Sequence, residues 1–337
     1  MQIYFGTIVR TAPVEQGGSL FHLDWDSKTI IKEFPIIPSE PAMKDDPNAR
    51  GNMRGCKGIQ LVGDEVIAAD YHTLNFFDRK LTQKRKLSGD LMVGLHETQV
   101  VGSAIWVTST TIDAALKYDL ESGELLEQFW PREMPEFQQE LNIEPLEIDK
   151  SIDNRQTFLD NASFRGPSHL HLNAVCEFRG EVYALFHSKG VVANLSQRKI
   201  VIQDDNLQHA HNLIIEEPGV VLINDTHRTV VRQYDLNSGS QTREYNIKKM
   251  PGIKSLLWRT ALRALKETGL SFLSKHSKAT ARPLYLRGLA VTETDIFASF
   301  SPATIARIDR KSGKLVDYYF HSTDARVCIH GLAVAED

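Results

Sequence analysis

Six positions in the chain carry a basic side chain at or near the start of a short apolar run. They are Lys57, His96, His171, His211, Arg287 and His330. Successive positions are 39, 75, 40, 76 and 43 residues apart. A repeat of this kind brings equivalent residues together in a closed repeat architecture. We therefore treat the six residues as one set and call the position that they share the anchor position.

The four histidines of this set have the chemistry of a metal site. Converging neutral imidazoles bind Zn²⁺, Fe²⁺ or Cu²⁺, and three of them leave a coordination position open, as in catalytic zinc sites. Alternate members of a sixfold set have threefold geometry, which selects His96, His211 and His330 as ligands. His171 is then a fourth ligand, a general base or a hydrogen-bond partner. We expect a divalent transition metal, zinc first, with iron or copper as alternatives.

The two remaining members, Lys57 and Arg287, predict a small anionic substrate. Their charges suit a carboxylate or phosphate and the stabilisation of an oxyanion. We interpret the set as the active site of a metal-dependent lyase or hydrolase, with oxidoreductase activity less favoured. The same charges repel a divalent ion, which leaves a second hypothesis open: a non-catalytic binding or scaffold protein that captures an acidic ligand on the basic set.

Further acid–base candidates occupy the loops that follow the second strand of each repeat. Tyr71, His72 and His227 are expected to transfer protons or to support the metal ligands, since binding and catalytic residues often lie on such loops. His187 belongs to the same group. Asp residues near these loops and in the repeat turns are interpreted as turn residues.

The elements that must position these residues are short β-strands, four in each unit of ~40 residues. Residues 117–123, 233–239 and 307–313 share an Asp and a Ser-Gly turn before a fourth strand. Asp and Ser cap such a turn, and Gly adopts positive φ at little cost. Four antiparallel strands per unit are typical of a propeller blade.

The two ends of the chain complete one blade. The last anchor, His330, opens a single strand, and three strands near 3–9, 19–24 and 29–34 supply the rest. This closure removes exposed sheet edges. The sequence therefore predicts an all-β, six-bladed β-propeller as one domain over 1–337, with the anchors on its axis. Gly58, Gly288 and Gly331 directly follow anchors and are expected to let backbones pack closely there.

The blade pattern resembles the six-bladed propeller superfamily of NHL-repeat, gluconolactonase, regucalcin and strictosidine synthase types. The axial histidines resemble those of the peptidyl-α-hydroxyglycine amidating lyase family, in which three histidines hold zinc beside an arginine. That resemblance implies His96, His211 and His330 as ligands and Arg287 in the arginine role. The family is secretory and disulfide-bearing, and this chain departs from it in both respects, so we expect a different substrate.

Two long intervals between anchors predict insertions. The first, about 130–167, is acidic, and the second, about 248–283, is basic with helical spacing of its apolar residues. We expect the basic helix to be a lid over the propeller face or a partner contact. Contact of residues 253–273 with a membrane surface is a minor alternative.

Composition and sequence motifs argue against several classes of protein. A net charge of −4 in 337 residues argues against nucleic-acid binding. Three cysteines without CxxC spacing argue against a disulfide framework, and no secretory or membrane-spanning segment is predicted, so a soluble, cytoplasmic protein is expected. Nucleophile-elbow, Walker, HExxH and dinucleotide motifs are absent from the sequence.

Overall fold

The structure is a computed structural model that describes residues 1–38, 55–157, 166–256, 258, 285–324 and 326–336. Across these residues the β-strands form six antiparallel sheets of four strands each. The sheet that joins the two chain ends has the order β24-β1-β2-β3, with β1 at Gln2–Val9, β2 at Ser19–Asp24, β3 at Thr29–Pro35 and β24 at Val327–Ala335.

The other five sheets follow the chain. The second sheet contains β4 (Ile59–Val62), β5 (Glu65–Ala69), β6 (Leu74–Asp78) and β7 (Gln83–Leu87). The third contains β8 (Leu95–Val101), β9 (Ala104–Ser109), β10 (Ala114–Asp119) and β11 (Leu125–Phe129). The fourth contains β12 (Leu172–Phe178), β13 (Glu181–Phe186), β14 (Val191–Asn194) and β15 (Lys199–Gln203). The fifth contains β16 (His211–Glu216), β17 (Val220–Asp225), β18 (Val230–Asp235) and β19 (Gln241–Asn246), and the sixth β20 (Leu286–Val291), β21 (Asp295–Phe300), β22 (Thr304–Asp309) and β23 (Leu315–Phe320).

These sheets confirm the predicted six-bladed β-propeller and its closure. The C-terminal strand β24 pairs antiparallel with β1, from Gln2 opposite Ala335 to Val9 opposite Val327. Most predicted strands differ from the observed ones by one or two residues at their ends, where strand assignments are least certain. Two anchors, Lys57 and His171, lie just before their strands and not inside them.

The hydrophobic core is divided among the interfaces between neighbouring blades. One cluster joins the second and third sheets around Phe76 and Leu116, and another joins the sixth sheet to the terminal sheet around Phe5 and Phe297. Equivalent clusters fill the other four interfaces. Every blade thus buries both faces against a neighbour, which stabilises a closed ring.

A β-bulge interrupts the inner strand of most blades at the anchor position. The pairing register shifts between Leu95 and Thr98, between His211 and Ile214, and between Leu286 and Gly288. In β24 the bulge leaves His330 outside the regular pairing with β1. Bulges redirect side chains next to functional sites, so the anchors leave the alternating pattern of their strands at the axis.

The acidic insertion contains two described helices, α1 at Pro135–Leu141 and α2 at Asn154–Thr157. Of the basic insertion, residues 251–256 and 258 are helical, and most of the predicted helix over 253–273 lies outside the described residues. No helix in the described part of the chain is long and apolar enough to cross a bilayer.

Candidate functional site

Five histidines form a closed ring of contacting imidazoles on the propeller axis, which we call the histidine ring. Its members are His96, His171, His187, His211 and His330. In order around the ring, the distances between imidazole centroids are 5.2 Å for His96–His171, 4.5 Å for His171–His187, 5.2 Å for His187–His211, 5.4 Å for His211–His330 and 5.5 Å for His330–His96. The structure therefore brings together the four predicted anchors and adds His187.

Burial keeps these imidazoles uncharged. Burial is the largest cause that lowers the pKa of His96, His171, His211 and His330 well below the ordinary value, and neighbouring histidines and cations lower it further. Burial likewise lowers the pKa of His187 to about 3. A neutral imidazole has one nitrogen with a free lone pair, so every member of the ring can accept a proton or bind a metal.

A backbone carbonyl indicates which nitrogen carries the proton in one ring member, His96. Its Nδ1 is 3.1 Å from the carbonyl oxygen of Gly94, which only accepts, so we assign the proton to Nδ1 and the lone pair to Nε2. Nδ1 of His211 lies 2.7 Å from Oγ1 of Thr226, which can donate or accept, and 3.2 Å from the carbonyl oxygen of His209, so either nitrogen of His211 can carry the proton. Metal-binding histidines are commonly oriented by this kind of hydrogen bond.

A buried carboxylate, Asp113, positions His171. It accepts hydrogen bonds from the backbone N–H of Leu170 at 2.9 Å and of His171 at 2.7 Å. Oδ1 also lies 3.4 Å from Nε2 of His169, and Oδ2 lies 3.8 Å from a guanidinium nitrogen of Arg132. These contacts hold His171 at a φ of +55°, which residues other than glycine seldom adopt. Sequence analysis missed Asp113, because an Asp in a short connection between strands normally indicates a turn.

The glycines that follow the anchors allow the inner strands to meet. A Cβ on Gly331 would lie 1.7 Å from the carbonyl oxygen of Lys57, and one on Gly58 would lie 2.6 Å from that of His96. The backbone N–H of Gly58 also donates to this His96 oxygen at 2.8 Å. The predicted close packing at the hub is confirmed at both positions.

Three cations surround the histidine ring. Lys57, Arg287 and Arg10 each lower the pKa of His330 through their positive charge. Lys57 and Arg10 are buried, and Nε of Arg287 is buried without a hydrogen-bond partner among the described residues. Charged groups in such positions bind anions strongly, because little water competes for them.

Tyr71 and His72 lie beside Lys57. The Lys57 ammonium is 5.1 Å from the centre of the Tyr71 ring, and the Tyr71 hydroxyl is 3.0 Å from Oγ1 of Thr111. Nδ1 of His72 lies 2.8 Å from the carbonyl oxygen of Met92, so its lone pair is on Nε2, which is buried without a partner among the described residues. Burial lowers the pKa of His72 to about 4.

His227 lies outside the histidine ring, at the exposed end of a line of aromatic contacts. Nε2 of His187 is 3.2 Å from Nδ1 of the exposed His209. The His209 ring contacts that of His227, which stacks on Tyr285, both at 4.8 Å between centroids. His227 therefore reaches the histidine ring through His209, which contacts the ring member His187.

A buried carboxyl group, Glu97, lies next to the histidine ring. Its Oε1 is 4.0 Å from Nδ1 of His330, and neither atom has a hydrogen-bond partner among the described residues. Burial raises the pKa of Glu97 to about 8, against the opposing charge of Lys57. Glu97 is therefore mainly protonated at neutral pH.

The histidine ring contains side chains that can ligate a metal, but they are not gathered around one point as the ligands of a single ion are. His330 contacts both His96 and His211, and His96 presents an assigned Nε2 lone pair. In the described part of the chain, however, no three His, Cys, Asp or Glu side chains are already gathered as ligands of one ion.

No family model and no curated protein matches this chain. Among solved structures, a protein of unknown function from Bacteroides caccae is similar over 98% of this chain and 97% of its own, with a TM-score of 0.60 and 10% identity. Virginiamycin B lyase from Staphylococcus aureus aligns over 98% and 92% of the two chains with a TM-score of 0.48 and 10% identity. A streptogramin B lyase aligns over 80% and 70% with a TM-score of 0.45 and 12% identity. At such identities the likeness concerns the fold alone.

Proposed function

We propose that the histidine ring is the active site of a metal-dependent lyase or hydrolase that acts on a small anionic substrate. The observation that carries the proposal is the closed ring of five contacting, neutral imidazoles on the axis. A structural role alone would not require so many buried histidines in mutual contact, because each neutral imidazole must still satisfy a donor and an acceptor.

The chemistry of the donors fits a divalent transition metal. His96, His211 and His330 would hold it, with His171 as a fourth ligand or a base. In support, burial keeps the ring histidines neutral, and the Nδ1–H group of His96 points to the carbonyl oxygen of Gly94, which leaves Nε2 of His96 as the ligand atom. When bound, such an ion would polarise a substrate carbonyl or lower the pKa of a bound water.

The cations would bind and orient the substrate. Lys57 and Arg287 would pair with a carboxylate or phosphate group, and Arg10 would add a third charge, since all three act on His330. Two or three fixed charges orient an anion and stabilise negative charge that develops on an adjacent oxygen. A substrate anion bound between the cations and a metal ion would also offset the repulsion between their positive charges.

Proton transfer would fall to imidazoles at the edge of the ring. Nε2 of His72 has a lone pair and no hydrogen-bond partner among the described residues, and Tyr71 next to it carries an ionisable hydroxyl. The backbone N–H of His171 donates to Asp113, which fixes the main chain that carries this imidazole. Protons would pass between the histidine ring and solvent through His187, His209 and the exposed His227, since these three imidazoles are in contact.

Metal content measured by elemental analysis tests the proposal. The wild-type protein, purified untagged and without chelator, should contain close to one transition metal per chain. The variant with His96, His211 and His330 all changed to Ala should lose it and keep the β-sheet circular dichroism spectrum. A matched variant, His22→Ala, removes a histidine of the outer part of the first blade and should retain the metal. Stoichiometric metal in the triple variant would contradict the ligand assignment.

The second hypothesis, a non-catalytic protein that captures an acidic ligand, is favoured by the three cations around uncharged imidazoles. Under this hypothesis Lys57→Met and Arg287→Met should each weaken the binding of oxalate or inorganic phosphate by about tenfold and reduce its salt dependence. Lys314→Met, at an exposed turn, should change neither. Anion affinity that is unchanged in both axial variants would contradict any role of these cations in binding.

A further inference from the structure

Two cations, Lys57 and Arg287, belong to the blades on either side of the one that carries His330. The inner strand β24 packs against β20 on one side and against β4 on the other. A Cβ on Gly331 would lie 1.7 Å from the carbonyl oxygen of Lys57, and a Cβ on Gly288 would lie 2.9 Å from that of His330. The segments that carry the two cations therefore both touch the main chain of β24 directly.

Each cation acts on its own side of the histidine ring as well as on His330. Burial first, and then the charge of Lys57, lowers the pKa of His96. Burial first, and then the charge of Arg287, lowers the pKa of His211. Both charges also act on His330. The site thus has two positive centres, with uncharged imidazoles between them.

Both centres have N–H groups to offer a ligand. Nε of Arg287 is buried and makes no hydrogen bond to the described residues. Buried polar atoms are normally paired, so this donor points to an acceptor on a bound molecule. The ammonium of Lys57 lies 5.1 Å from the centre of the Tyr71 ring. Because an ammonium has three N–H donors, it can bind an anion in addition to its contacts within the protein.

We infer that the substrate carries two anionic groups, one bound by Arg287 and the other by Lys57, as in a small aliphatic dicarboxylate. The inference rests on the proposed function and names the substrate class of the same site. A ligand with one anionic group would pair with only one of the two cations. A guanidinium binds a carboxylate through two parallel N–H groups, and Arg10, whose charge also acts on His330, favours a second negative group.

Isothermal titration of the chelator-treated protein with malonate, succinate and glutarate, each beside its own monoamide, tests the inference. The monoamide keeps the size and shape of the diacid and has one negative charge fewer. We expect the diacid of the best-fitting length to bind about tenfold or more tightly than its monoamide. Lys57→Met and Arg287→Met should each reduce this ratio to about twofold or less, since each removes the partner of one group.

The matched control is Lys314→Met, at an exposed turn, which should keep the wild-type ratio. Equal affinity for every diacid and its monoamide, no binding of any diacid, or a ratio unchanged in either axial variant would each overturn the inference. Tighter binding of inorganic phosphate than of all three diacids would also overturn it, because one group would then serve both cations. If one axial variant does not fold, as judged by circular dichroism, the other decides.

The titration uses metal-free protein, so its result is independent of metal content. A protein that binds no metal but shows the expected ratio would contradict the metal-dependent function and leave the two-anion site standing. A protein that binds metal but treats diacid and monoamide alike would overturn only the substrate class.

Discussion

The ring histidines are chemically useful because they are buried without becoming charged. Burial and the cations around them lower their pKa values, and the carbonyl oxygen of Gly94 next to His96 fixes the tautomer of that residue. A lone pair is therefore available at neutral pH, when an exposed histidine would already be partly protonated. Because the folded protein disfavours the charged form of these imidazoles, its free energy of unfolding should decrease at acidic pH.

His72 allows that decrease to be measured. Its pKa is about 4 in the folded protein against 6.5 in the unfolded chain, so between these values the unfolded chain holds a proton that the folded protein lacks. Stability is complete above pH 6.5 and falls as the pH falls through this window, by about 3 kcal/mol for this one residue. Between pH 7 and pH 4 the free energy of unfolding should therefore decrease by about 3 kcal/mol less in His72→Gln than in the wild type.

Urea denaturation of the chelator-treated protein at a series of pH values measures this. His227→Gln, which changes an exposed histidine, should keep the pH dependence of the wild type. If His72→Gln has the same pH dependence as the wild type, His72 is not neutral and buried as described.

Single residues also mark where prediction from sequence succeeded and where it failed. The anchors were found because they recur at one position of a repeat, and the structure gathers His96, His171, His211 and His330 around the axis. His187 was assigned to a loop group and Asp113 was not identified. Both depend on contacts across distant parts of the chain, such as Asp113 with Leu170, for which the sequence contains no local pattern.

At the scale of elements, the inner strands are built to bring their anchors together. The bulges at His211 and Arg287 interrupt regular pairing at the axis, and glycine after an anchor lets the neighbouring backbone approach. The strands themselves could be predicted from period-two patterning and turn residues. The bulges could not, because a one-residue register shift leaves no signal in a single sequence.

Gly331→Ala tests this packing. The new methyl group would lie 1.7 Å from the carbonyl oxygen of Lys57, so β24 and the segment before β4 must separate. We expect the free energy of unfolding to fall by about 3 kcal/mol or more, measured by urea denaturation. Gly102→Ala, in an open turn with φ of +60° and no atom within 4 Å of the new Cβ, should lose only about 1 kcal/mol from backbone strain. Equal losses in the two variants would contradict the close approach.

At the scale of the whole molecule, the histidine ring is complete only when the propeller is closed. His330 reaches the axis on β24, which is held by pairing with β1 from the other end of the chain. The six interfaces between blades are each filled by a hydrophobic cluster. A closed propeller holds the five ring histidines, which come from four blades, in one place, which is the preorganisation that an active site requires.

The most direct test of the metal-site proposal is an anomalous-difference map from crystals of protein purified without chelator and then equilibrated with Zn²⁺, recorded above and below the zinc absorption edge. The proposal predicts a peak on the propeller axis, within bonding distance of Nε2 of His96, His211 and His330. A fully refined map with no anomalous peak at the histidine ring would contradict the metal site and leave the anion-binding hypothesis in its place.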